Sequence, residues 1–277
     1  MTATVAAPRV LADVGQRYRR DRRVDRVIII SGIISFGVGA LLFWQFGLGL
    51  LVNQRYVSTP AEVATSLVQL ISSGVLLGHI RVTMIEAGSG YLIGVVVGLV
   101  GAFMLLTTRR GYDVLEPFLI AFYSIPKIAL APLFIMWFGL ALTPKILLAA
   151  LMVFFIVFMN TVAGVRSVDR GLISVARVLG ASRLNLMRTV LFPAAAPAIM
   201  AAIRVTFARA MVGAILAEFI ASTEGLGHMI IRASRQFDIA TVFAGVVVIA
   251  ALVMAVNGLT RYAESRLFPW STAEVHG

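Results

Sequence analysis

Charged side chains are scarce in this 277-residue chain, where Asp, Glu, Lys and Arg make up only 13%. Four of them fall where solvent is least available. Lys127, Arg204 and Arg209 interrupt long apolar runs, and Glu218 sits at the end of one. A charge inside an apolar segment is costly and usually marks a solute pathway or a counter-ion pair. Lys127 directly follows the helix breaker Pro126, a position from which it can face a pathway. Arg204 and Glu218 share nearly the same helical face but lie about 21 Å apart along the axis, so they cannot pair within one straight helix. Two readings stand for these cations. Either they supply positive potential for an anion in transit, or they pair with carboxylates and backbone carbonyls.

Other chemistry is poorly supported. There are no cysteines, which excludes disulfides, iron–sulfur clusters and thiolate zinc sites. His79, His228 and His276 have no metal-ligand spacing, and no metal site is expected. Lys127 and Lys145, the two lysines, are each followed by isoleucine, so no phosphate-cradling Gly-x-x-x-x-Gly-Lys-Ser/Thr loop exists. The "GSG" at 88–90 hints at a serine nucleophile, but no base stands at diagnostic spacing from Ser89. No carboxylate pair suggests acid–base work within the bilayer. No catalytic residue is assigned.

The elements that must hold these charges are read from apolar runs. With 60% hydrophobic residues the chain cannot cover a globule with polar surface, so lipid is its solvent. Six runs emerge: 27–54, 87–108, 117–144, 146–165, 189–217 and 239–260. Each supplies the roughly 20 residues a helix needs to cross about 30 Å of hydrocarbon. Backbone polar groups in lipid must be bonded internally, and no alternating pattern suggests a barrel, so these are helices. The expectation is an all-α integral membrane protein with six transmembrane helices. The first run is too long for a signal-peptide core and lacks a small-residue cleavage site.

Charge placement orients the spans. With the N-terminus inside, sixteen of the 24 Lys and Arg fall in inner segments and five in outer ones. That bias puts both termini in the cytoplasm. The basic arm 1–26, with six arginines in "GQRYRRDRRVDR", and the tail 266–277 flank a six-helix domain over 27–265. A net charge of +11 made of short blocks between greasy runs is topological information rather than a nucleic-acid surface. Two outer stretches, 58–74 and 223–238, have the length and periodicity for short surface helices or ordered loops.

Gly90, Gly94 and Gly98 form a smooth stripe that lets a neighbouring backbone approach. Pro126 and Pro132 remove two donors from the third run, which predicts a bent or broken helix. The inner loop 166–193, "RSVDRGLISVARVLGASRLNLMRTVLFP", is too long and too apolar for a turn. Leu172, Val175, Ala176 and Leu179 give one helix an apolar face. Gly180 can end that helix, Ser182 can cap a second from Arg183, and Pro193 marks the turn into the fifth span. By periodicity alone the pair can lie on anionic lipid or serve as a handle for another protein.

This loop resembles the "EAA" loop of ABC importer permeases: Glu-Ala-Ala, three residues, Gly, nine residues, then Ile-x-Leu-Pro. Ser174, Val175 and Ala176 occupy the first three places, with Gly180, Val190, Phe192 and Pro193 following without a gap. Ser174, Val175 and Phe192 depart from the pattern. "SIPKIALAPLFIMWFGLA" (124–141), "NTVAGVRSVDRGL" (160–172), "LAEFIASTEGLGHMI" (216–230) and "VFAGVVVIAALVMAVNGL" (242–259) are similar to the nitrate/sulfonate/taurine branch. The likeness covers roughly 55 to 270.

The resemblance implies a type I importer permease in a bacterial cytoplasmic membrane. Two copies would pair, each gripped by a cytoplasmic ABC ATPase through Ser174–Ala176, Gly180, Ala181, Ser182, Val190, Phe192 and Pro193. An extracytoplasmic binding protein would deliver a small anion of the sulfonate, taurine or nitrate type. ATP and Mg would reside on the partner ATPase, with no cofactor on this chain. Lys127, Arg204, Arg209 and Glu218 are the candidate pathway residues. An ATP-independent secondary transporter or channel explains the spans equally well, but not the spacing of Gly180 and Pro193.

Overall fold

The computed structural model describes residues 28–47, 53, 56–106 and 111–267, and every element among them is helical. The chain divides into two units, 1–65 and 66–277. In the first, α1 (Ile28–Gly47) is long and apolar enough to cross a membrane. Its last turn, Phe43–Gly47, is π-wound. The Trp44 indole N–H donates to the Ser58 carbonyl at 2.9 Å. Helix α2 (Pro60–Ser72) then starts from a capping box. Thr59 N–H donates to Glu62 Oε2 at 2.9 Å and Glu62 N–H to Thr59 Oγ1 at 3.3 Å. The Thr59 N–H, with help from the Ser58 hydroxyl, holds the Glu62 carboxyl below the usual carboxylate range.

The second unit is built on three long helices: α3 (Val75–Leu106), α6 (Leu142–Arg166) and α8 (Arg183–Ala221). Oil gains nothing by leaving lipid for other oil, so such helices are held by close packing. Here the closeness comes from missing side chains. A Cβ on Gly90 would lie 2.5 Å from Ala149 Cβ, on Gly94 2.6 Å from Ala150 O, and on Gly98 3.1 Å from Phe154 O. The predicted stripe therefore lies directly on the backbone of α6. Gly213 of α8 approaches α6 just as closely, its missing Cβ 2.8 Å from Ala149 Cα. Ala87, Ala149, Val153, Phe207, Met211 and Ala214 fill the centre between the three helices.

The third run is broken as its prolines predict. Helix α4 (Gly111–Ser124) and the following Lys127–Phe138 meet at 79°, so the pair is either one broken span or a re-entrant turn. Pro126 opens a 3₁₀ turn, Lys127–Leu130, ahead of α5 (Ala131–Phe138). Pro132 does not break a helix; it sits in the first turn of α5, where no N–H is missed. Beyond α8, α9 (Leu226–Arg235) and α10 (Ile239–Leu267) complete the unit. Among the described residues five helices meet the length and apolarity of a span, or six when the bent pair counts as one.

Several boundaries move. The second span starts at Val75 rather than 87, because an uncharged-run reading stops at Glu86 whereas the helix runs through it. Arg81, expected in an outer segment, is therefore helical. The stretches 58–74 and 223–238, read as short helices or ordered loops, form helices, α2 and α9. Pro193 makes no turn: α8 runs continuously from Arg183, with a π-wound turn at Met187–Leu191. Phe192 N–H reaches back to the Met187 carbonyl, and this widened ladder accommodates a residue that cannot donate. The arm 1–26 and residues 268–277 of the tail lie outside the described residues.

Gly94→Val should force α3 away from α6 and cost about 1–3 kcal/mol. Gly88→Ala, on an open face of the same helix with nothing within 4 Å, should be neutral or slightly stabilising. Thermal unfolding of the two variants in detergent measures the contrast.

Candidate functional site: an exposed helix pair and the charges within the spans

Between α6 and the membrane part of α8 lies the pair expected from the loop 166–193. Helix α7 (Arg170–Val178) starts at Asp169, whose side chain accepts from Gly171 N–H at 2.5 Å. Its end is a Schellman motif. Gly180, at φ +81°, donates to the Arg177 carbonyl at 3.0 Å, and Ala181 N–H reaches the Ala176 carbonyl at 3.0 Å. Ser182 then caps the start of α8, accepting from Asn185 N–H at 3.3 Å. Gly180 thus turns the chain between two helices with no loop to spare. Only glycine takes that φ without strain.

The pair does not bury its apolar face. Leu172, Val175, Val178 and Leu179 are exposed, the last two by 87% and 80%. Val178 joins the predicted face, while Ala176 and Ala181 are half-buried. Ser174 is exposed and donates to the Arg170 carbonyl at 2.8 Å. Val190 lies in the π-wound turn, half-buried, and the Phe192 ring stands 5.8 Å from that of Phe103. Pro193 is half-buried within α8. The positions of the sequence motif therefore form one device: a rigid elbow anchored on α8, with an apolar edge left open.

The four charges go to four different environments. Glu218 faces no open path: it is 1% exposed and sealed in by its partners. The Thr83 hydroxyl donates to its Oε1 at 2.6 Å and Gly227 N–H to its Oε2 at 2.5 Å. A Cβ on Gly225 would strike the same carboxyl. Close by, Lys145 forms a buried ion pair with Glu86 at 2.8 Å and donates to Ser222 Oγ at 2.7 Å. Oε2 of Glu86 has no hydrogen-bond partner among the described residues. Leu226 N–H donates to Thr83 Oγ1 at 2.8 Å, and Gly225 N–H to His79 Nδ1 at 3.0 Å. This cluster ties the turn before α9 to α3, α6 and α8.

Lys127 caps a carbonyl. Its Nζ donates to the Tyr123 carbonyl at 2.5 Å, an oxygen freed by the break, and lies 4.3 Å and 4.9 Å from the ring centres of Tyr123 and Phe155. Arg204 pairs with Glu264 at 3.6 Å across to α10. Arg209 is exposed and makes no hydrogen bond, ion pair or ring contact among the described residues. Ser89 is about 15 Å along α3 from His79, so that histidine cannot serve it as a base.

Sequence reasoning missed Glu86 and Lys145 as a pair. Both stood at the edges of apolar runs, where charges read as boundaries. The available signal was Glu86 falling among residues that continue the helical glycine stripe.

The model of the family described as binding-protein-dependent transport system inner membrane component matches residues 90–269. The chain belongs to this family. It is an ABC importer permease subunit, with the all-helical type I permease fold. It is 35% identical over 232 residues to the putative aliphatic sulfonates transport permease protein SsuC of Bacillus subtilis (strain 168), covering 83% of this chain and 84% of that one. It is 36% identical over 234 residues to the riboflavin transport system permease protein RibX of Chloroflexus aurantiacus, covering 84% and 87%. A solved inward-facing conformation of the MetNI methionine ABC transporter has a TM-score of 0.61 at 21% identity, covering 72% of this chain and 96% of that chain. This last likeness shows the fold alone.

Lys145→Met would leave Glu86 as an unpaired buried charge and should cost about 3–5 kcal/mol. The double variant Glu86→Gln/Lys145→Met should recover part of that loss. Melting temperatures of the two variants in detergent check the order.

Proposed function

We infer that this permease moves a small anionic solute, of the sulfonate, taurine or nitrate type, inward across a bacterial cytoplasmic membrane by ATP-driven alternating access. It works as a pair of copies with two cytoplasmic ABC ATPases and an extracytoplasmic binding protein. Both termini and the elbow 166–193 lie on the cytoplasmic side, as the distribution of Lys and Arg favours. The observation that carries this reading is the elbow itself. A Schellman-closed helix presents Leu172, Val175, Val178 and Leu179 to solvent, fused without a flexible joint to a membrane helix. An apolar edge of this kind suits a groove on another protein.

The mechanism follows from rigidity. ATP binding closes the two ATPases, and the elbow, having no loop to absorb motion, passes the displacement to α8. Because α8 packs glycine-to-backbone on α6, the two helices turn together and the cavity opens to the other side. Hydrolysis resets it. This chain makes and breaks no bonds; it supplies a two-state equilibrium biased by nucleotide, solute and binding protein. The aliphatic sulfonates in the SsuC name support an anion as solute.

The detergent-solubilised chain should bring an ATP-hydrolysing partner with it. Leu179→Asp and Gly180→Leu should lower that retention by about tenfold or more, as loss of an interface anchor does, while membrane insertion stays normal. Retention unchanged in both variants would remove the elbow from coupling. Solute uptake that proceeds in ATP-free vesicles would favour an ATP-independent transporter.

A further inference from the structure

Where α8 meets α10, a cavity of about 540 Å³ opens between the two helices. Arg204 and Val205 of α8 line it, with Met254, Asn257, Gly258 and Arg261 of α10. Its polar end is drawn from both helices. Arg204 is held from one side: its Nε lies 3.6 Å from Oε2 of the buried Glu264, and its side chain stays 32% exposed. Arg261 is exposed. Neither guanidinium donates a hydrogen bond among the described residues. The third polar group is stranded. Oδ1 of Asn257 is buried and has no hydrogen-bond partner among the described residues. A buried acceptor in that state calls for a donor. Beside it Gly258 leaves room, since a Cβ there would meet nothing within 4 Å.

Charge and depth define what fits. Arg204 and Arg261 against Glu264 leave one positive charge in excess, which a monoanion answers. A guanidinium offers parallel N–H donors to two oxygens of one phosphate. Arg261 ends the apolar run of α10 and lies about 33 Å along the helix from Ile239, which matches the roughly 30 Å of a hydrocarbon core. The charged end of the cavity is therefore level with lipid headgroups. On the membrane side of the arginines, Val205 and Met254 are apolar and exposed. The wall thus turns from polar to apolar in the direction in which a phospholipid turns from headgroup to chain.

We propose that this cavity binds a phospholipid of the adjoining leaflet. Its phosphodiester lies on Arg204 and Arg261, a headgroup hydroxyl or ammonium donates to Asn257 Oδ1, and the acyl stem lies against Val205 and Met254. Basic pockets between spans are suited to lipid phosphates. The site is separate from the elbow and does not depend on which solute is carried.

The test uses the full solubilised importer, stripped of lipid in detergent and titrated with dioleoylphosphatidylglycerol. Native mass spectrometry counts the lipid bound. Gly258→Leu fills the cavity and Arg261→Gln removes one guanidinium. Arg204 is left in place, because removing it would strand Glu264. Wild type should retain one phosphatidylglycerol per permease chain. Each variant should bind it at least about tenfold more weakly, as loss of a charge-assisted contact does. Dioleoylglycerol, which has the chains without the phosphate, should not compete. Glycerol phosphate, which has the headgroup without the chains, should displace the lipid only in large excess. Retention indifferent to both variants, or dioleoylglycerol retained as well as phosphatidylglycerol, would overturn the proposal. Displacement by an equal concentration of glycerol phosphate would overturn it too, by making this a site for a free oxyanion. A Gly258→Leu importer that loses a second copy of the chain while still holding lipid would assign the cavity to a subunit interface instead. Melting temperatures show whether each variant is folded, and either folded variant suffices.

Discussion

Helices in lipid have no hydrophobic reason to adhere, so this fold depends on how near three backbones can come. The contact of α3 and α8 with α6 is made where side chains are absent: Gly90, Gly94 and Gly98 on one side, Gly213 on the other. The neighbours there are Ala149, Ala150 and Val153, small enough to keep the interface thin. Dispersion over a long, flush surface replaces the solvent-driven burial of a soluble core. It also makes the bundle stiff, since flush helices move together or separate altogether.

Most polar groups within this bundle meet one another, although Glu86 Oε2 and Asn257 Oδ1 have no hydrogen-bond partner among the described residues. Glu86, Lys145, Thr83, Ser222 and Glu218 form one buried cluster drawn from three helices and the turn before α9. Each is expensive to bury alone, and the mutual bonds offset that cost. The same logic governs the break at Pro126, where the carbonyl of Tyr123 is met by the ammonium of Lys127. Lys127, Arg204 and Glu218, which interrupt or end apolar runs, each meet a partner from the protein itself. Arg209 makes no such contact among the described residues.

The elbow's ends are closed by hydrogen bonds. The Asp169 cap starts α7, and the Schellman bonds around Gly180 and the Ser182 cap join α7 to α8 through a short turn. The π-wound turn at Met187–Leu191 carries the helix past Pro193 instead of stopping it. A push at Leu179 is therefore a push on a helix that reaches the centre of the bundle.

By itself the sequence determined the all-helical membrane class, the break after Ser124 and the caps at Gly180 and Ser182, while it left 58–74 and 223–238 open between short helices and ordered loops. Each is a local matter: apolar length, helical period, or the conformational habit of one residue. It also located the glycine stripe, whose spacing is a property of one helix. Helix ends at charges were misread, because a run of uncharged residues stops at Glu86 while the backbone continues, the charge being answered by Lys145 from another helix. Likewise the continuity of α8 through Pro193 needed a change of hydrogen-bond ladder that residue type does not announce. Only the tertiary structure decided which charges have partners, since pairing such as Arg204 with Glu264 or Glu218 with Thr83 joins residues far apart in the chain. A single helix can show that a charge is present; neighbouring helices alone decide whether it is satisfied.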